Sequence, residues 1–98
     1  MKSLTIFVDG RQYASARDMH LALKMLLNLP EHYGCNADAL YDCLTEITVP
    51  TAVGMVFPYT DFDEEDHDLI AYYDKIKRVF RDADEDNGQL AVFIFERY

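Results

Sequence analysis

The chain of 98 residues has no tryptophan, only four glycines, three prolines and two cysteines. With so little Gly and Pro it shows no linker, and no low-complexity segment beyond one acidic run. No apolar run approaches the roughly 18 residues that a membrane-spanning helix requires. The two cysteines, Cys35 and Cys43, stand eight residues apart across a turn and a helix. Along a helix that separation is about 12 Å, too far for a disulfide. Neither has metal-ligand spacing to a histidine or to the other cysteine, so no metal or cofactor site is expected and both thiols are expected to be reduced, as in a cytoplasm. Positive charge is also scarce: nine Lys and Arg stand against 18 Asp and Glu, for a net charge of −9. That balance repels nucleic-acid phosphates and anionic membrane surfaces and favours a basic partner.

Apolar residues make up half the chain and aromatics 13%, which excludes a disordered acidic tail. The length fits one domain, 1–98, with a single core and no staples. The start, Met1 to Gly10, has one lysine and an apolar run of five residues, too short for a secretory core.

Leu4 to Val8 is a compact β-branched run closed by the turn signal Asp9-Gly10. Ser15 and Asp18 fit a capping box, after which Met19, Ala22, Leu23, Leu26 and Leu27 recur at helical spacing, predicting a helix from Ala16 to about Leu27. Leu29-Pro30 ends it, because the residue before proline is driven out of helical geometry. Asn36 caps a second, short helix. A second apolar run spans Ala52 to Phe57. Six acids follow in the eight positions from Asp61 to Asp68, and most are expected at the start of a helix reaching about Ala83, where the dipole favours them. Leu69, Ile70, Tyr73, Ile76, Lys77 and Phe80 give that helix an apolar stripe with a basic edge. Asn87-Gly88 turns into a third strand, Leu90 to Phe95. Three apolar strands separated by helices predict an α/β fold with a parallel sheet.

Neither acidic cluster fits a calcium loop, which needs glycine at its sixth position and glutamate at its twelfth. Counted from Asp61 those positions hold Asp66 and Tyr72. Counted from Asp82 the glycine arrives one place late and Phe93 falls twelfth.

The short helix carries the sharpest signal. Ala37, Leu40, Cys43, Leu44 and Ile47 form an apolar face, while Asp38 and Asp42, four apart, point together to the other side. Like charges at that spacing cost roughly 0.2–0.5 kcal/mol. On spacing alone a solvated helix face is the simpler reading, and a helix that displays charge for binding is the other.

The segment from Leu29 to Thr45 resembles the barstar family, intracellular inhibitors of secreted bacterial ribonucleases. The shared pattern is Leu29-Pro30-Glu31, the turn Tyr33-Gly34, Asn36, Asp38-Ala39-Leu40, an aromatic at Tyr41, and Asp42-Cys43-Leu44-Thr45. Asp18 and His20 with the leucines of the first helix, and Val79-Phe80-Arg81 near the end of the last, extend it over most of the chain. The resemblance implies a three-stranded parallel sheet packed by α-helices, and a protein without catalytic activity of its own. It also implies a basic ribonuclease as partner, occluded by the second helix and the loop before it. Carried over by position, Asp42 would act as a phosphate mimic and Asp38 and Asp82 as flanking acceptors. Tyr33, Gly34 and Asn36 would shape the loop, and Tyr33 and Tyr41 would supply packing at the contact with the partner.

This chain departs from the family pattern at four places: His32 replaces a tyrosine, Cys35 a glutamate, Tyr41 a tryptophan, and Asp82 a glutamate. His32 is open between a contact and a plain surface residue, whereas His20 reads as structural. An enzyme built on Cys35 and His32 lacks any orienting or oxyanion motif. The resulting expectation is a monomeric, cytoplasmic inhibitor. Its rival is a module of the same fold, an antitoxin for a different basic protein.

Overall fold

A computed structural model describes residues 3–13, 15–58 and 67–97, with the backbone alone at 58 and 67–69. Strands β1 (Leu4–Asp9), β2 (Thr51–Pro58) and β3 (Leu90–Arg97) form a parallel sheet in the order β1-β2-β3. Parallel neighbours need long crossovers. Here α1 (Ala16–Leu26) and α2 (Ala37–Thr45) supply the first and α3 (His67–Asp86) the second. The α/β fold with its three-stranded parallel sheet is the one the sequence predicts, and each strand runs one or two residues beyond its predicted limits. Helix α3 continues past Ala83 to Asp86. The acids Asp61 to Asp66, expected to open it, lie outside the described residues.

The strands read as near-continuous apolar runs, yet among the described residues only one sheet face is covered. Ile6, Val8, Val53, Met55, Phe57 and Leu90 are buried, while Phe7, Phe93 and Phe95 on the other face are each more than half exposed. Gly54 lies between Phe7 and Phe93 in the register, and a Cβ there would meet Phe7 Cδ2 at 3.1 Å. The middle strand thereby leaves room for the Phe7 ring to lie across it.

Helix α1 starts as predicted, with Ser15 Oγ accepting from the Asp18 N–H at 3.1 Å. Its inward face is Met19, His20 and Leu23, continued by Leu27, whereas Leu26, expected on the stripe, is at the surface. The helix is rolled so that His20 faces inward. It ends in a Schellman arrangement and not simply at the proline: Asn28 takes a left-handed φ of 53°, the Leu29 N–H donates to Lys24 O at 2.9 Å, and the Asn28 N–H to Met25 O at 3.4 Å. Asparagine tolerates that conformation better than other side chains, glycine aside.

Three polar groups, two buried and one partly buried, tie the elements together. His20 is in the core, with Nδ1 at 2.5 Å from the Tyr33 hydroxyl and Nε2 at 2.6 Å from the Tyr72 hydroxyl. A neutral imidazole has one donor and one acceptor, so one tyrosine accepts from it and the other donates to it. Helices α1 and α3 and the loop before α2 therefore meet at one ring. Burial holds the His20 pKa below the ordinary imidazole value and pushes the Tyr33 and Tyr72 phenols up. Lys77, on the edge of the predicted α3 stripe, is buried, with Nζ donating to Glu96 Oε1 at 2.6 Å and lying 3.1 Å from Asp74 Oδ1. Asn87, after α3, donates through Nδ2 to the carbonyls of Leu44 (2.9 Å) and Ile47 (3.0 Å), while its Oδ1 accepts from the Gln89 N–H. It thus closes the C-terminal end of α2 from a distant part of the chain.

Two expectations follow from these contacts. Asn87→Ala removes two side-chain hydrogen bonds to those carbonyls and lowers the unfolding free energy by about 1–2 kcal/mol, measured by urea denaturation. For His20, the folded state resists a proton that the unfolded chain accepts below about pH 6.5. Its contribution is complete above that pH and is lost as pH falls through the depressed folded value. Urea midpoints should fall from about pH 6.5 toward pH 5, and His20→Gln should flatten that slope; a wild-type profile already flat there contradicts the assignment.

Candidate functional site

A helix of nine residues is below the length at which helices hold in water unaided, about 12–15 residues. Helix α2 is held by its surroundings. Ala37, Leu40 and Leu44 are buried, Cys43 and Ile47 pack at the core edge, and Asn87 closes the end. At the start, Asn36 Oδ1 accepts from the Ala39 N–H at 2.8 Å, the predicted N-cap, and Asn36 Nδ2 donates back to Gly34 O at 3.3 Å.

The loop before α2 is fixed residue by residue. Tyr33 is buried, its N–H donating to Pro30 O and its hydroxyl on His20. The ring expected among the contact residues is therefore an internal anchor, and what it offers the loop is position. Gly34 is exposed, and a Cβ there would come within 3.0 Å of Asn36 Nδ2, against the cap itself. The left-handed residue is Cys35, with φ 52°, a conformation a non-glycine residue adopts at a cost. His32 is exposed. His32 and Cys35 share no hydrogen bond among the described residues, and neither borders the cleft described next.

Asp38 and Asp42 do not face open water alone. Helix α3 lies beside α2, and together they form a cleft of about 470 Å³ lined by Ala37, Asp38, Tyr41, Asp42, Lys75, Arg78, Val79 and Asp82. Helical spacing by itself gives the two carboxylates a solvated face, and α3 alongside makes that face one wall of an open cleft. Ala37 and Val79 give the cleft an apolar part and the three aspartates give it charge. Asp38 sits in the first turn of α2, where the helix dipole favours an acid. Among the described residues none of Asp38, Asp42 and Asp82 forms an ion pair, and all three are exposed.

Tyr41 is half-buried beside the cleft, and its hydroxyl donates to the carboxylate of Asp86 at the end of α3. That acceptor raises the phenol pKa and holds the ring across the gap between the helices. Of the residues proposed from the sequence, Asp38, Tyr41, Asp42 and Asp82 meet at this cleft. Gly34, Asn36 and Tyr33 build the approach to it, and His32 stands on the surface of that loop. Lys75, Arg78 and Asp86 were missed. The signal was present, since 75, 78, 82 and 86 fall on one face of a helix, but the basic edge was read only as a border to the core stripe.

Comparison with known proteins bears on the family. The family model described as Barstar (barnase inhibitor) matches residues 3–95. The curated "Putative ribonuclease inhibitor YrdF" of Bacillus subtilis (strain 168) is 33% identical over 82 residues, 83% of this chain and 86% of that protein. The family match takes in α1, α2, α3, the loop and nearly the whole sheet, and on that extent the chain belongs to the barstar family.

Proposed function

We propose that this protein inhibits a small basic ribonuclease by seating α2 and the loop before it in the enzyme's phosphate-binding site. The observation that carries the reading is the set of three exposed carboxylates, Asp38, Asp42 and Asp82, that border one cleft without an ion pair among the described residues. A ribonuclease must hold RNA phosphates with arginine, lysine or histidine. Carboxylates on rigid helices meet such groups with short, charge-assisted hydrogen bonds. Asp42, midway along α2, takes the part of the bound phosphate, and Asp38 and Asp82 flank it. An aspartate accepts hydrogen bonds as a phosphate does but offers no scissile bond, so the enzyme is occupied and the inhibitor is not consumed.

The remaining residues serve geometry. Tyr41, tied to Asp86, packs beside the entering basic groups, while Gly34 and Asn36 keep the loop out of their way and His32 lies on its outer surface. The net charge of −9 speeds encounter with a basic protein and makes that encounter sensitive to salt. The family membership and the relative's name favour a ribonuclease over other basic partners. In this reading the protein works as a monomer in the bacterial cytoplasm, as an antitoxin against an enzyme meant for export, and it needs no cofactor or metal.

Inhibition assays on a ribonuclease captured with the protein test this directly. Asp42→Ala should weaken inhibition by about 2–5 kcal/mol, thirtyfold or more, because a basic pocket is left filled but unpaired. Asp18→Ala, an exposed acid on α1, should change it less than about threefold. Equal losses at both positions would mean that bulk charge carries the binding, and a captured partner without nuclease activity would favour a different basic target.

A further inference from the structure

Two of the chain's nine cations, Lys75 and Arg78, line the same cleft as the three aspartates. For a surface that receives a basic enzyme this is the wrong sign. The simplest account would be that they neutralise the aspartates, but among the described residues neither forms an ion pair with Asp38, Asp42 or Asp82. Lys75 Nζ instead lies over the Tyr72 ring, 5.9 Å from its centre. Both side chains are exposed and, among the described residues, uncommitted to any carboxylate.

Any group that reaches Asp38, Asp42 and Asp82 enters the field of Lys75 and Arg78 as well. Like charges brought together across an interface are strongly unfavourable, and a guanidinium stripped of water without an acceptor costs more still. A partner that is basic throughout its contact surface would meet both penalties. A partner that sets a carboxylate beside its phosphate-binding cations would avoid them, and arginine's planar fork suits a carboxylate particularly well.

We propose that Lys75 and Arg78 select the partner: the ribonuclease this protein binds carries an acidic side chain next to its basic phosphate site, and that carboxylate pairs with Arg78 and Lys75 in the complex. This rests on the inhibitor reading and refines it. The surface recognised is then a pattern of both signs, with acids from α2 and the end of α3 on one part and cations from the middle of α3 on the other. Basic ribonucleases lacking the carboxylate are bound weakly.

The two accounts of these cations predict opposite signs. A panel of small secreted microbial ribonucleases is screened for inhibition, and the most tightly bound member is used to measure association and dissociation rates for wild type, Arg78→Glu, Lys75→Glu, Arg78→Gln and Asp42→Ala. Thermal melts check that each variant is folded. If the cations meet a carboxylate, each charge reversal weakens affinity about tenfold or more through faster dissociation, and the Gln variant falls in between. If they face only basic groups or solvent, each reversal adds two units of negative charge and leaves affinity unchanged or raises it through faster association; that result overturns the proposal. A large loss at Asp42→Ala alongside it would keep the inhibitor reading intact. No inhibition across the panel, or no loss at Asp42→Ala, would remove the inhibitor reading and this one with it.

Discussion

The structure turns on a helix too short to exist by itself. Nine residues of α2 carry Asp38, Tyr41 and Asp42, and their geometry is only as good as what holds those nine residues in place. Burial of Ala37, Leu40 and Leu44 supplies most of the hold. The ends are closed from outside the helix, by Asn36 at the start and by Asn87 at the finish. The loop before it is fixed through Tyr33 to His20, and through His20 to Tyr72 on α3. The display of charge is therefore a property of the whole domain, with core residues of α1, α3 and the sheet all contributing to where three carboxylates stand.

That dependence explains what the sequence could and could not convey. Strands and helix starts are local events, so Ser15, Asn36 and the apolar runs were legible. Asp38 and Asp42 on one face followed from helical periodicity, and the family pattern named their surroundings. The features that escaped were those joining distant segments. Leu26 reads as core by spacing, but the inward turn of α1 is decided by His20, whose partners lie 13 and 52 residues away. Lys77 reads as the basic edge of the α3 stripe, and it is buried with Glu96 on β3 and Asp74 supplying its counter-charges. Tyr33 is expected at the contact by its place in the family pattern, and its ring turns inward to that same histidine. The cleft itself needs α2 and α3 side by side, which no spacing within either helix can reveal.

Charge in this protein has two separable roles. The excess of acid over base acts at a distance on any basic partner and is weakened by salt. The cleft acts at contact, where the arrangement of Asp38, Asp42, Asp82, Lys75 and Arg78 matters more than their sum. A like-charge pair on α2 is a small cost that a surface helix would ordinarily avoid, and binding at the cleft gives a reason for it. The open sheet face, with Phe7, Phe93 and Phe95, is the other surface of unusual character. It lies on the side of the sheet opposite the helices that build the cleft.

Those two surfaces make the central claim easy to test. Hydrogen exchange of the backbone amides, followed in the free protein and in its complex with the ribonuclease it inhibits, reports which face is covered. The account predicts new protection in the loop from His32 to Asn36, along α2, and on the part of α3 between Lys75 and Asp86. Protection confined to β1 and β3 around Phe7, Phe93 and Phe95, with α2 and its loop unchanged, would contradict it.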